Sequence, residues 1–221
     1  MVFFHGYLAS KESFAAQVEY FSQFCRVTAF DFLGFGQSAS LKEPFSVSDY
    51  AEWTKEVLSL LGVERPHVIA HSFGVRVAVK MAKEGGQVFD KLLFTGPAGI
   101  IINRGLSYQI KVKTYRAVKK IFPRFAERHF GSAEYKTLSP VMKESYKKIV
   151  NEDLRGDAER VLNETLIVQG TLDQTTTLKE AEIYLSKLRR GRIKKIEGGH
   201  FAFAEHPLAF NLIAEEFFFH G

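Results

Sequence analysis

The chain has a single cysteine, Cys25, among its 221 residues, so neither an internal disulfide nor a cysteine-built metal site can form within it. That economy fits a reducing compartment, and a cytoplasmic location is the expectation. No apolar run approaches the roughly 18 residues of a membrane span. Met1 leads straight into a strand-like Val-Phe-Phe with no charged leader, so neither export nor an integral membrane protein is expected. Internal repeats, low-complexity tracts and flexible linkers are missing too. What remains is one domain with a sizeable core and room for an insertion. No nucleic-acid-binding motif accompanies the positive charge, so no nucleic-acid partner is expected.

That charge is +5 overall and unevenly spread. Arg104, Lys111, Lys113, Arg116, Lys119, Lys120, Arg124 and Arg128 face only Glu127 in their stretch. Within it, Leu106 to Phe122 reads as a basic amphipathic helix with Leu106, Ile110, Tyr115, Val118 and Phe122 on its apolar side. Its basic face can be simply solvated, or it can attract an anionic substrate or a membrane surface. Its apolar side can line an acyl pocket or pack on the core.

The informative stretch is 66–85. Pro66 to Ala70 reads as a short buried strand, and Val75, Val77, Ala78, Val79, Met81 and Ala82 recur at helical spacing after it. Between them sits Ala70-His71-Ser72-Phe73-Gly74, a small-x-Ser-x-Gly pentapeptide. A strand that becomes a helix within one residue strains that residue and needs small neighbours on either side. It presents a hydroxyl beside a helix N-terminus, whose free N–H groups favour negative charge. Alone, the pentapeptide reads equally well as a serine capping an ordinary helix.

Along the chain, strand-like runs alternate with helical ones. Residues 1–4, 26–30, 66–70, 89–95, 164–169 and 191–196 read as strands. Segments 11–24, 46–61, 73–85, 179–188 and 207–219 read as helices. In 46–61, Ser46 or Ser48 is the cap, and Tyr50, Trp53, Val57, Leu60 and Leu61 face inward. In 11–24, Phe14, Val18, Phe21 and Phe24 form the apolar face. From about 100 to 161 the pattern is helical with no convincing strand. Such alternation implies parallel pairing with helices on both faces and ligands at the carboxyl ends of strands. His5–Tyr7, His71–Phe73, Asp173 and His200 all follow strand ends.

A serine hydroxyl is a weak nucleophile that needs a base, and the base needs an orienting carboxylate. Ser72, Asp173 and His200 supply these in the order nucleophile, acid, base. Taken singly, Asp173 also reads as a loop cap and His200 as a turn residue. Together with His5-Gly6, DFLGFGQS at 31–38, GTLD at 170–173 and GGHFAFAEHP at 198–207, the chain resembles the α/β-hydrolase superfamily, in its monodomain form with a helical cap.

The resemblance implies an α/β fold with a mostly parallel sheet of about six strands, lacking the usual first two. It implies a core over 1–99 and 162–221, and a helical cap insertion over 100–161. It implies Ser72 as nucleophile, Asp173 as acid and His200 as base, with the backbone N–H groups of Tyr7 and Phe73 as oxyanion hole. Asp31, Gly34, Gly36 and Ser38 would shape the loop beside the site. His5, Gly6, His71 and Phe201 are expected at the substrate pocket, and its abundant phenylalanines suggest an apolar one. No cofactor and no metal are expected.

The activity implied is that of a carboxylesterase-like serine hydrolase acting on an ester-like bond of a small acyl substrate. C–C bond hydrolysis, thioester or lyase chemistry, and a non-catalytic binding role, are the alternatives. Two departures stand out. Ala70 replaces the usual glycine, and two strands that normally precede the first one here are missing. The strand at 26–30 then becomes a sheet edge, for which a homodimer, or a longer natural chain, is the expectation.

Overall fold

The computed structural model describes residues 1–85, 88–102 and 137–220. Six parallel strands form one sheet: β1 (Val2–Phe4), β2 (Thr28–Ala29), β3 (Val68–His71), β4 (Leu92–Thr95), β5 (Thr165–Gly170) and β6 (Gly191–Ile196), in the order β2-β1-β3-β4-β5-β6. The 26–30 strand is therefore an edge, as expected, but only Thr28 and Ala29 of it pair.

Strand residues alternate between two cores, as the pleat dictates. Phe4, Val68, Ala70, Leu92, Phe94 and Ile167 meet α2 (Val47–Leu60), α3 (Phe73–Ala82) and α6 (Leu178–Lys187) on one face. Phe3, Ile69, Leu93, Leu166 and Val168 meet α1 (Ala15–Phe21), α7 (Ala202–Glu205) and α8 (Pro207–Glu215) on the other. Between β4 and β5 the described residues add only helices, α4 (Pro140–Val150) and α5 (Arg155–Ala158). The basic helix expected over 106–122 lies outside the described residues.

Local chemistry sets the helix ends. Ser46 caps α2 in a reciprocal box with Asp49, which settles the choice between Ser46 and Ser48. The inward face of α2 differs from the expectation. Val47, Tyr50, Ala51, Thr54 and Leu58 are buried, while Leu60 and Leu61 are exposed. Thr54 can be buried because its hydroxyl donates to the Tyr50 carbonyl at 2.7 Å, so a polar position belongs to the inward face. Phe24 is likewise exposed, because α1 ends at Phe21. The closing helix stops at Glu215 and continues as a π-helical turn over Glu216–His220.

Helix α3 is buried on every side, including Arg76 and Lys80. Arg76 Nη1 donates to the carbonyls of Ile149 and Glu152, both at 2.8 Å. Lys80 Nζ lies 2.5 Å from Glu152 and 2.8 Å from Asp157. Buried cations are tolerated only with such partners. They fasten the helix behind residue 72 to the segment between β4 and β5.

Candidate active site

Ser72 lies between β3 and α3 with φ 51° and ψ −108°. This is left-handed backbone that a non-glycine residue rarely adopts, so the turn holds real strain. Its N–H donates to the Thr95 carbonyl at 3.1 Å, and its side chain makes no capping hydrogen bond, so it is not an ordinary N-cap serine. Gly74 shows why the turn needs small residues. A Cβ there would strike the Phe4 carbonyl, 2.6 Å from its carbon. Ala70, fully buried and paired with Phe4 in register, fits without opening the turn.

Asp173 follows β5 and His200 follows β6. Asp173 Oδ2 accepts from His200 Nδ1 at 2.8 Å. The aspartate side chain is completely buried, the histidine half-buried. Burial acts to raise the Asp173 pKa. The hydrogen bond and charge of His200, with the Thr176 bonds, outweigh it and hold the carboxyl below its usual value. With Nδ1 committed to Asp173, Nε2 is the ring's other nitrogen and the one left to act as a base. No Ser72–His200 hydrogen bond occurs among the described residues. The two loops are joined instead through the residue before Ser72, because His71 Nε2 donates to the His200 carbonyl at 3.0 Å and the two rings lie 4.6 Å apart. A Cβ on Gly6 would lie 3.5 Å from the Ser72 Cβ, so the loop after β1 runs directly beside that serine.

Phe73 opens α3, so its N–H has no intrahelical partner. Tyr7 sits in the tight turn after β1, where Ala9 N–H donates to the Gly6 carbonyl at 3.2 Å. The rings of Tyr7 and Phe73 pack edge to face at 5.6 Å, which ties the two backbone segments together. Tyr7 also touches Tyr146 of α4, and its hydroxyl donates to the Met142 carbonyl at 3.2 Å.

Of the residues expected at the pocket, His5 and His71 are buried; both ring nitrogens of His5 hold loop backbone, whereas His71 does so through Nε2 alone and its Nδ1 is buried without a hydrogen-bond partner. His5 Nε2 accepts from the Phe32 N–H at 2.9 Å and Nδ1 donates to the Gly6 carbonyl at 2.7 Å. Phe201 is 45% exposed, 5.3 Å ring to ring from His200. The 31–38 loop is organised as expected. Asp31 accepts from the N–H groups of Lys11 and Gln37 at 2.7 and 2.8 Å, and the Ser38 hydroxyl donates to its carbonyl. Gly36, at φ 51°, passes where any side chain would collide with that carboxylate.

Sequence reasoning overlooked Thr176 and Gln169. The run Thr175-Thr176-Thr177, which begins two residues after Asp173, was the available sign, since hydroxyl residues shortly after a loop aspartate offer local donors to it.

His71 makes the site acid-sensitive. Burial, followed by the neighbouring His200, pushes its pKa from 6.5 down to about 3. Burial also lowers His5. Both are neutral in the folded chain and take up protons when it unfolds below pH 6.5. Their contribution is therefore complete above that pH and is lost as pH falls, for His71 down toward 3 at up to about 1.4 kcal/mol per pH unit. Urea unfolding midpoints are expected to drop between pH 7 and pH 4.5, and to drop less in His71→Asn. An equal drop in both proteins would remove His71 from the account.

The comparisons with known proteins agree with this architecture. A family model described as alpha/beta hydrolase fold matches residues 1–129. An uncharacterized protein of Mycobacterium tuberculosis is 23% identical over 229 residues, covering 86% of this chain and 67% of that one. Epoxide hydrolase 1 of Caenorhabditis elegans is 24% identical over 253 residues, covering 94% and 61%. The chain thus spans roughly two thirds of the length of these relatives. Among solved structures, an esterase from Exiguobacterium antarcticum superposes with a TM-score of 0.77 at 19% identity, covering 98% of this chain and 90% of that one. With the strained serine turn, the six parallel strands and a family match over more than half its length, the chain belongs to the alpha/beta hydrolase fold family.

Proposed function

We propose that the chain is a serine hydrolase that cleaves an ester-like bond of a small, partly apolar acyl substrate through an acyl-enzyme. The observation that carries the reading is the 2.8 Å His200–Asp173 pair beside a serine held at φ 51°. In this reading Ser72 Oγ attacks the acyl carbon while His200 Nε2 takes its proton, and Asp173 holds the Nδ1–H and offsets the imidazolium charge. The oxyanion meets the N–H groups of Phe73 and Tyr7, which the paired rings keep in place. Collapse expels the alcohol, protonated by His200. Water, deprotonated by the same imidazole, then releases the acid and restores Ser72. No metal or cofactor enters these steps. The missing Ser72–His200 bond is a feature that catalytic pairs often show before substrate binds.

The exposed ring of Phe201 and the Tyr7–Tyr146 contact support a partly apolar pocket. In this proposal the core is 1–99 with 162–221, and 100–161 forms the cap. The cap's basic stretch would favour an anionic acyl substrate. A fluorophosphonate probe tests the reading. Labelling is expected at Ser72, and is expected to vanish in His200→Ala. An unlabelled wild-type chain with no turnover of p-nitrophenyl acetate or butyrate would instead favour a non-catalytic, ligand-binding member of the family. Labelling with turnover of thioesters or C–C substrates but not esters would move the substrate class.

A further inference from the structure

Asp173 has more donors around it than a triad carboxylate needs. Oδ1 accepts the N–H groups of Thr175 and Thr176 at 2.8 and 3.0 Å. Oδ2 accepts from His200 Nδ1 at 2.8 Å, Thr176 Oγ1 at 2.9 Å and, more weakly, Gln169 Nε2 at 3.4 Å. Thr176 Oγ1 also lies 3.2 Å from His200 Nδ1. The hydroxyl therefore closes a triangle with both members of the acid–base couple.

Its proton has one good use there. An ionised carboxylate only accepts, so the hydroxyl donates to Oδ2 and turns its lone pairs toward the imidazole Nδ1–H. Thr176 is itself pinned, because its carbonyl accepts from Gln169 Nε2 at 2.9 Å and the residue is buried. Space for the triangle comes from the end of β4. A Cβ on Gly96 would lie 3.0 Å from His200 Nδ1 and 3.2 Å from Thr176 Oγ1.

We propose that Thr176 is a positioning residue for the Asp173–His200 couple, its hydroxyl fixing the ring against the carboxylate and drawing negative charge from Oδ2. This rests on the reading of His200 as the base. Two consequences follow from the geometry. Without the hydroxyl the ring loses one of its two restraints at Nδ1, and turnover falls. The unshared charge on Oδ2 then also favours the protonated imidazole more strongly.

The groups around His200 make the second effect legible. Asp173 faces it from the β5–α6 loop. From β3 comes His71, a neutral donor to its carbonyl. From α7, Glu205 accepts from the Gly199 N–H at 2.7 Å. β4 contributes only uncharged Gly96. Thr176→Val changes none of these charges.

The test compares wild type, Thr176→Val and Thr176→Ser. In Val, kcat is expected to fall about tenfold, the loss of one charge-assisted hydrogen bond, with KM nearly unchanged. The acid limb of kcat/KM is expected to move up by on the order of half a pH unit. Serine restores both. An NMR titration of the His200 ring reads the same midpoint whether or not the protein turns over substrate. An unmoved midpoint in Val, or a serine variant behaving like valine, overturns the proposal. A thermal melt checks that Val is folded. The hydrolase reading stands or falls separately, on fluorophosphonate labelling of wild-type Ser72. A midpoint that moves in an unlabelled protein would sink that reading and leave the Thr176 coupling in place.

Discussion

Ser72→Ala is expected to lower kcat by at least about 10⁴-fold while leaving the fold intact. The reason is that the hydroxyl is the only part of residue 72 the proposed chemistry uses. Its N–H bond to Thr95 and its carbonyl bonds to Val75 and Ala98 are all backbone and survive the change. The residual rate would come from the N–H groups of Phe73 and Tyr7 and from substrate binding. Steady-state kinetics on p-nitrophenyl butyrate with matched melting curves make the measurement. A variant that keeps even a tenth of wild-type kcat would remove Ser72 as nucleophile. A variant that melts much earlier would show that the hydroxyl is structural instead.

Gly74→Val is expected to produce a large loss of stability. A Cβ at 74 collides with the main chain of Phe4, which lies in β1 and cannot rotate away as a side chain would. Relief requires α3 to lift off the sheet, and α3 is buried along its whole length. Such overpacking against backbone is expected to destabilise by at least about 4 kcal/mol, a fall in Tm of roughly 10 °C for a chain of this size. Differential scanning calorimetry reads it directly. A fall of under about 3 °C would show that α3 can shift without disturbing its packing.

Most of the frame was legible because its signals are short-range. Five of the six strands were marked by largely apolar runs closing on glycine or a polar turn, whereas Gly191–Ile196 carries Arg192, Lys194 and Lys195 and closes on Gly198-Gly199. The residues at 5–7, 72, 173 and 200 were marked by following strand ends. What escaped notice was set by contacts distant in sequence. Leu60 and Leu61 carry the right spacing for an inward face, yet the buried face runs through Val47, Thr54 and Leu58 instead. The spacing of α3 gives no sign that Arg76 and Lys80 are buried, because their partners come from residues 149 to 157. Thr176 was passed over for a related reason. A threonine beside an aspartate looks like turn chemistry until the histidine from another strand arrives against it.

The link from His71 to His200 joins residues 129 positions apart, across the two strands that lie between β3 and β6. A closure that long is entropically among the last a folding chain makes. In the proposed mechanism, a ribosome-bound chain that has completed β3 and α3 already carries Ser72 yet lacks His200, the base assigned to it. Activity of the proposed kind would therefore arrive only once β6 and the loop after it have joined the sheet.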